Sequence, residues 1–193
     1  MIVFARVPQL GAVKTRLARD IGPLAAWRFH RNATAAAVRG LGADRRWRLL
    51  VALTPDRLAG RARLTPVAAQ RTGQGTGDLG WRMARALDRL RPEPALLVGS
   101  DVPGLDRGRI ARAFRALAAA DAVFGPAEDG GFWLIGIRGQ RRPHGWFRSV
   151  RWSSPHALAD TLTNLPPNVR VARLEPLADV DTGADYARLA GKR

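Results

Sequence analysis

A basic loop near the start of the chain has residue types that can bind phosphate groups. Arg6, Lys14 and Arg16 follow a short apolar segment, and Gly11 lies between them. Cations placed in this way can surround a diphosphate or triphosphate, because charge-assisted hydrogen bonds to phosphate oxygens are strong. The spacing fits neither a P-loop nor a dinucleotide-binding fingerprint. The alternative interpretation is a solvent-facing loop that carries ordinary basic residues.

Carboxylates at two other places have the chemistry of metal ligands. Asp101 directly follows an apolar run at residues 95–99, and Asp179 and Asp181 stand two positions apart near the end of the sequence. Mg²⁺ prefers one or two protein carboxylates together with phosphate oxygens and water. Asp101 and Asp181 are therefore candidate ligands of one metal ion. The alternative is that Asp101 only stabilises a turn and that Asp181 or Thr182 only caps the last helix.

A third acidic segment precedes an aromatic strand. Glu128 and Asp129 are followed by Gly130 and Gly131, which allow the backbone to approach a ligand closely. The two carboxylates are candidates to bind an acceptor hydroxyl, to act as a general base or to contact a metal. A tight hairpin turn explains the same residues without a ligand.

Composition excludes several other classes of site. The chain has no cysteine, which excludes disulfides, thiolate metal sites and a cysteine nucleophile. The histidines are dispersed without metal-ligand spacing, and no catalytic role is predicted for His30, His144 or His156. No apolar run is long enough to cross a membrane, and no signal peptide is recognised at the start. These features predict a cytoplasmic protein with one domain over residues 1–193.

The net charge of +16 suggests two interpretations. Lys and Arg total 32, against 16 acidic residues, and only Lys14 and Lys192 are lysines. One interpretation is nucleic-acid binding. The other is an arginine-rich solvated surface that follows from overall composition, with a smaller patch that attracts a phosphorylated ligand. The second is favoured, because no recognition helix or aromatic-rich RNA platform is visible.

The elements that must position these residues alternate between short apolar strands and amphipathic helices. Strands are predicted at residues 1–6, 48–53, 95–99, 122–125, 132–137 and 169–174. Helices are predicted at 23–39, 76–89, 106–120, 155–163 and 182–190, with Asp78 as a cap. This alternation predicts an α/β fold, a three-layer α/β/α sandwich with a mostly parallel mixed sheet. Ligands bind such sheets at the carboxyl ends of the strands, where the candidate residues lie.

The motifs taken together resemble a family. They read FARVP at 4–8, VKTRL at 13–17, GDLG at 77–80, GSDVP at 99–103, GPAEDGGF at 125–132 and DVDT at 179–182. Their order resembles the small bacterial nucleotide-diphospho-sugar transferases with a GT-A-like fold, the selenodomain-associated transferase 1 type. The first segment is also similar to that of 2-phospholactate guanylyltransferases. The resemblance extends over nearly the whole chain.

The resemblance implies a GT-A fold and a role for each motif. Lys14 and Arg16 would face the nucleotide phosphates, with Arg6, Gly11 and Asp78 as further binding residues. Asp101 would bind a divalent metal, Mg²⁺ or Mn²⁺, and Asp181 would be a second metal contact. The chain departs from the pattern at two places: position 6 is Arg where the family usually has Lys, and position 99 is Gly, so an Asp-x-Asp metal motif is absent.

The expected function is transfer of a group from a nucleotide-activated donor to a small-molecule acceptor. The first expectation is a glycosyltransferase that uses a nucleotide sugar, with Glu128 or Asp129 acting on the acceptor. The alternative is a nucleotidyltransferase that uses a nucleoside triphosphate and a phosphorylated acceptor. A basic nucleic-acid-binding protein and a non-catalytic ligand-binding subunit are further alternatives. The sequence makes no prediction of the acceptor or the oligomeric state.

Overall fold

A computed structural model describes residues 1–62 and 69–191 of the chain. The strands of this part are β1 (Ile2–Arg6), β2 (Leu50–Thr54), β3 (Gln70–Gly73), β4 (Ala95–Gly99), β5 (Ala122–Pro126), β6 (Phe132–Ile137) and β7 (Val171–Arg173). The helices are α1 (Thr15–Ile21), α2 (Pro23–Gly42), α3 (Leu79–Asp88), α4 (Arg107–Ala119), α5 (Ala157–Thr163) and α6 (Gly183–Ala190). Short 3-10 helices cover Asp56–Arg61 and His144–Phe147. None of the described helices is both long and apolar enough to cross a lipid bilayer.

The described strands lie in a single mixed sheet in the order β3-β2-β1-β4-β6-β5-β7. β6 is antiparallel to both of its neighbours, β4 and β5, whereas the other neighbouring strands pair in parallel. The turn at residues 127–131 is too short for the crossover that a parallel pair needs, so β5 and β6 form a hairpin. α1 and α2 supply the longer connection between the parallel strands β1 and β2. The predicted mostly parallel mixed sheet is confirmed.

Helices cover both faces of this sheet because successive strand side chains point to opposite sides. Val3 of β1 packs in one core cluster with Leu41 of α2 and Ile110 of α4. Its neighbour Ile2 packs in the other cluster with Leu87 of α3. Each of these side chains is almost completely buried, and burial of such a side chain stabilises the fold by about 1.5–3 kcal/mol. The α/β/α layering expected from the sequence is therefore present.

Two predicted helices begin slightly later than expected, because an aspartate caps each of them. Asp78 Oδ1 accepts a hydrogen bond from the Trp81 backbone N–H at 2.8 Å, so α3 begins at Leu79 rather than at residue 76. Asp106 Oδ1 accepts from the Arg109 backbone N–H at 2.8 Å and caps α4 in the same way. Such caps satisfy backbone donors that have no partner within the helix.

Apart from the two short 3-10 helices, one helix and one strand were not predicted from the sequence, and both lack a strong apolar signal. α1 has seven residues, of which only Leu17 is buried, so its hydrophobic period is too short to recognise. β3 has the sequence QRTG and is the edge strand of the sheet. Its side chains are exposed or half-buried, so the strand has no run of apolar residues. Backbone pairing with β2 holds β3 in place.

Replacing Gly40 by alanine should stabilise the fold. Gly40 lies in α2, and a Cβ atom built there meets no atom within 4 Å. Alanine restricts the unfolded chain more than glycine does, so we expect the free energy of unfolding to rise by about 0.5–1 kcal/mol. Equilibrium unfolding in urea measures this change.

Gly22→Ala is the matched control for that variant. A Cβ atom at Gly22 also meets no atom within 4 Å, but the residue has φ of +84°. Alanine is strained in the left-handed region, so the same substitution should destabilise the protein there by about 1 kcal/mol. Equal effects of the two variants would contradict this explanation.

Candidate functional site

A cavity of about 680 Å³ lies at the carboxyl ends of β1 and β4. One wall is the basic loop and the first turn of α1, and another is formed by residues 153–155. The charged residues that line it are Arg6, Lys14, Arg16, Asp101, Asp129 and Asp181. The structure therefore brings six of the predicted site residues to one place, where an α/β sheet commonly binds its ligand.

Lys14 joins the two carboxylates at the centre of this cavity. Its Nζ atom lies 2.8 Å from Asp101 Oδ2 and 2.8 Å from Asp181 Oδ1. The Lys14 side chain is only 12% exposed, against 27% for Asp101 and 42% for Asp181. Lys14 has φ of +47° and stands immediately before α1, so its backbone is held in the left-handed region that few lysines adopt. Three residues from distant parts of the sequence thus meet at one ammonium group.

Electrostatic effects keep the members of this cluster charged. Burial by itself lowers the pKa of Lys14, but the charges and hydrogen bonds of Asp101 and Asp181 outweigh it, and the net result is a raised pKa. Burial likewise acts to raise the pKa of Asp101. The charge and hydrogen bond of Lys14, together with the adjacent His30 ring, act in the opposite direction and hold that pKa well below its ordinary value. The centre of the site is therefore an ammonium ion between carboxylates.

His30 belongs to this site, although the sequence predicted no role for it. It is 4% exposed on α2, and its Nε2 atom lies 2.9 Å from the Arg6 carbonyl oxygen. A carbonyl only accepts hydrogen bonds, so Nε2 must carry the proton. Nδ1 faces Asp101 Oδ2 at 3.8 Å and has no hydrogen-bond partner among the described residues. The buried stripe of α2 is otherwise apolar, with Ala26 and Val38, but it also carries His30 and Thr34. These two buried polar side chains are the sequence signal that could have indicated His30 as a site residue.

Asp179 adds a further carboxylate near the cavity. Burial and the charges of Asp129 and Asp101 raise the pKa of Asp179 to about 7. Such a shift arises because a carboxylate among other carboxylates, partly removed from water, is costly to ionise. This part of the site therefore has an excess of negative charge that a bound cation would relieve.

The two predicted acceptor-side carboxylates differ in position. Asp129 lines the cavity, and its Oδ1 atom accepts a hydrogen bond from the Gly131 backbone N–H at 2.9 Å. Glu128 is exposed and is not among the residues that line the cavity. Gly130 next to Asp129 has φ of +84°, and a Cβ atom there would lie 2.2 Å from the Pro155 carbonyl oxygen. The glycine thus lets the Asp129 turn pack directly on the wall at residues 153–155.

The remaining predicted nucleotide-binding residues also differ in position. Arg6 is exposed at the cavity and donates to the Ala12 carbonyl oxygen at 3.2 Å, which ties the basic loop to β1. Gly11 has φ of +76° and precedes Ala12, which lines the cavity. Asp78 does not line the cavity and caps α3. The structure therefore brings Arg6 and the basic loop to the site and leaves Asp78 outside it.

Asp181 is positioned by the start of the last helix. Thr182 caps α6 in a reciprocal capping box with Asp185, and Asp185 Oδ2 also accepts from the Asp181 backbone N–H at 3.1 Å. The Gly183 backbone N–H donates to Asp20 Oδ2 of α1 at 2.7 Å. Thr182 therefore caps the helix, as the capping interpretation predicted, and Asp181 is left to contact Lys14.

Among the described residues, no group of three or more histidine or acidic side chains is arranged to hold a metal ion. Magnesium-dependent sites that bind phosphates need fewer protein ligands, because phosphate oxygens and water complete the coordination. Asp101 and Asp181 together would be sufficient for a site of that kind.

The sequence matches the model of one protein family. The model of DUF2064, described as an uncharacterized protein conserved in bacteria, matches residues 37–154, which is more than half of the chain. The chain belongs to the DUF2064 family. The matched stretch of this DUF2064 protein contains Asp101 and Asp129, while Lys14 and Asp181 lie on either side of it. No curated protein gives a significant match.

Solved structures share the fold of this DUF2064 protein. A proposed nucleotide-diphospho-sugar transferase from Desulfovibrio desulfuricans G20 is 28% identical, with a TM-score of 0.88 over 97% of this chain and 84% of that one. Rv0371c from Mycobacterium tuberculosis H37Rv, in complex with manganese, is 20% identical, with a TM-score of 0.59 over 100% and 97%. The 4-diphosphocytidyl-2C-methyl-D-erythritolsynthase from Anaerococcus prevotii DSM 20548 is 10% identical, with a TM-score of 0.64 over 100% and 98%. The fold expected from the sequence motifs, that of nucleotide-diphospho-sugar transferases, is confirmed.

Proposed function

We propose that this DUF2064 protein is a divalent-metal-dependent transferase that uses a nucleotide sugar as donor. The observation that carries the proposal is the meeting of Lys14, Asp101 and Asp181 in one cavity at the carboxyl end of the sheet. The same fold in a 28% identical proposed sugar transferase and in several nucleotidyltransferases supports a nucleotide-using transferase.

The basic wall of the cavity is the proposed site of the donor diphosphate. Lys14, Arg16 and Arg6 all line it, and no acidic side chain lies within the loop at residues 6–16. An ammonium and planar guanidinium groups together offer a diphosphate both point charges and paired donors. In transfer, these cations stabilise the negative charge that develops on the departing diphosphate.

Asp101 and Asp181 are the proposed metal ligands. Asp101 Oδ2 and Asp181 Oδ1 both lie 2.8 Å from one atom, Lys14 Nζ, so two carboxylate oxygens already converge on a single cationic position. This donor set fits Mg²⁺ or Mn²⁺, which take carboxylate and phosphate oxygens. When bound, the ion would act as a Lewis acid toward the phosphate oxygens. The manganese complex of Rv0371c supports the choice of metal.

Asp129 is the proposed residue on the acceptor side. It lines the cavity together with residues 153–155, whereas Glu128 does not and is left out of the proposal. In sugar transfer, the acceptor oxygen bonds to the anomeric carbon while the bond from that carbon to the diphosphate breaks. The nucleoside diphosphate leaves with the bonding electrons, and Asp129 receives the proton of the acceptor hydroxyl.

A nucleotidyltransferase is the second candidate, and the residue at position 99 favours it. Gly99 ends β4 where many GT-A glycosyltransferases carry the first acid of an Asp-x-Asp motif, so Asp101 stands alone at this strand end. A cytidylyltransferase from Thermus thermophilus shares the fold at 19% identity, with a TM-score of 0.55 over 100% of this chain and 98% of that one. In this reaction a phosphate oxygen of the acceptor attacks the α-phosphorus of a nucleoside triphosphate, and pyrophosphate leaves.

Calorimetric titration with nucleotides tests the proposal. UDP-, GDP- and ADP-sugars, GTP and CTP are titrated with Mn²⁺ present and again after chelation of the metal. We expect one nucleotide class to bind, and we expect its affinity to fall at least about tenfold without metal, because the metal neutralises both carboxylates and phosphates. Preference for a sugar nucleotide supports glycosyl transfer, and preference for a triphosphate supports nucleotidyl transfer. Absence of binding to every nucleotide in the presence of metal would refute both.

A further inference from the structure

The ammonium group of Lys14 stands where the proposed metal would bind. Its Nζ atom is 2.8 Å from one oxygen of Asp101 and 2.8 Å from one oxygen of Asp181. A divalent ion held by these two carboxylates would compete with the ammonium group for the same anionic oxygens. Two cations cannot share this position, because their repulsion at such a distance is large.

His30 independently indicates that this carboxylate pair takes a further ligand. Its Nδ1 atom is buried, faces Asp101 Oδ2 at 3.8 Å and has no hydrogen-bond partner among the described residues. Nε2 is committed to the Arg6 carbonyl oxygen, so Nδ1 is the ring atom left to contact a group bound beside Asp101. A ligand bound beside Asp101 would give this buried Nδ1 atom a partner, whereas Lys14 does not.

The Lys14 ammonium group has another anionic group nearby only when a donor diphosphate is bound. Its side chain is a flexible four-carbon stem on the wall that carries Arg6 and Arg16, where the donor diphosphate is proposed to lie. A diphosphate there gives the ammonium new anionic partners and releases the two carboxylates. The backbone of Lys14 need not move, since the residue is fixed at the start of α1.

We propose that Lys14 occupies the metal position in the free protein, and that the donor diphosphate draws it away so that the metal enters only with or after the donor. The inference rests on the proposed function of the site. Its consequence is positive coupling: the donor raises the affinity for metal, and metal raises the affinity for the donor by the same factor.

Titration with Mn²⁺ alone, followed by electron paramagnetic resonance, tests this inference in the free protein. Lys14→Met keeps the side-chain length and removes the competing cation, so it should bind Mn²⁺ at least about tenfold more tightly than the unmodified protein. Arg16→Gln is the matched control. It removes one positive charge from the same wall, but Arg16 has no ion pair with either carboxylate, so its effect should be at most about threefold. Equal Mn²⁺ affinity in Lys14→Met and the unmodified protein would overturn the inference.

A second measurement does not depend on the stability of any variant. The chain contains two lysines, so labelling with ¹³C at lysine Cε gives two side-chain signals, and Lys14→Met or Lys14→Arg identifies that of Lys14. Mg²⁺ alone should leave the Lys14 signal in place, whereas Mg²⁺ with the nucleoside diphosphate that binds best should shift it. A shift of the Lys14 signal by Mg²⁺ alone at the same concentration would contradict the proposed order.

These results separate the inference from the proposed function. If Mn²⁺ and nucleotide bind together but Lys14→Met shows no tighter Mn²⁺ binding, the proposed function stands and the role of Lys14 as a competing cation is wrong. If no nucleotide binds in the presence of metal, both are wrong. Thermal unfolding of Lys14→Met with and without Mn²⁺ confirms that the variant is folded, and Mn²⁺ should raise its melting temperature more than that of the unmodified protein.

Discussion

Replacing Asp101 by asparagine should abolish metal-dependent nucleotide binding. The side chain is held between Lys14 and His30 at the carboxyl end of β4, and its pKa lies below the ordinary value, so the residue is ionised in the folded protein. Asparagine has the same shape but no charge, and Mg²⁺ and Mn²⁺ bind neutral amide oxygens much more weakly than carboxylates. We expect the affinity for nucleotide in the presence of Mn²⁺ to fall at least about 100-fold.

Asp106→Asn is the control for this variant. It removes a charge of the same sign five positions away, but Asp106 caps α4 and does not line the cavity. Asparagine caps a helix about as well as aspartate, so neither stability nor nucleotide affinity should change appreciably. Calorimetric titration of both variants with nucleotide and Mn²⁺ under identical conditions compares their affinities. Unchanged metal-dependent binding in Asp101→Asn would show that the metal lies elsewhere.

Replacing Gly130 by alanine should produce the largest loss of stability among the glycine substitutions considered. The residue has φ of +84°, and its added Cβ atom would lie 2.2 Å from the Pro155 carbonyl oxygen. The clashing atom belongs to the Pro155 backbone, which cannot move aside as the end of a flexible side chain can. The turn that contains Gly130 must therefore separate from residues 153–155. We expect a loss of about 3 kcal/mol, from left-handed strain together with the displaced contact. Urea denaturation measures it.

The same substitution should also affect the site. Asp129 and residues 153–155 line the cavity on either side of this contact, so their separation enlarges the cavity and weakens ligand binding. Gly145→Ala is a suitable reference, since a Cβ atom there meets no atom within 4 Å and φ is not positive. Its free energy of unfolding should stay within about 0.5 kcal/mol of the starting value. A Gly130→Ala protein as stable as Gly145→Ala would disprove the proposed clash.

The parts of the fold that the sequence predicted are those with a clear apolar signal. The strands at Ala95–Gly99 and Phe132–Ile137 have the predicted bounds, because continuous apolar runs of this length are typical of strands buried on both faces. α1 and β3 have no such pattern, and tertiary contacts determine them instead. In α1, one leucine packs against α2, and β3 depends on pairing with β2.

The candidate site could be predicted as a set of residues but not as an arrangement. Lys14, Asp101 and Asp181 were recognisable from motifs at the ends of predicted elements. Asp101 and Asp181 were expected to meet at one metal ion, but their ion pairs with Lys14 were not expected, because local sequence assigns the lysine to phosphate and the carboxylates to metal. His30 was missed for a related reason. A single histidine on an apolar helix stripe gives no sign of what it faces until β4 is packed beside α2.

The pairing of Lys14 with Asp181 has a consequence for the synthesis of the protein. These residues are 167 positions apart, and the hydrogen bond between Gly183 and Asp20 spans 163 positions. All of the described strands end by Arg173, so a nascent chain contains every one of them before Asp181 has been made. Closing so long a loop is slow compared with forming local contacts. The sheet can therefore form before the candidate site is complete, because the site also needs the segment that leads into α6.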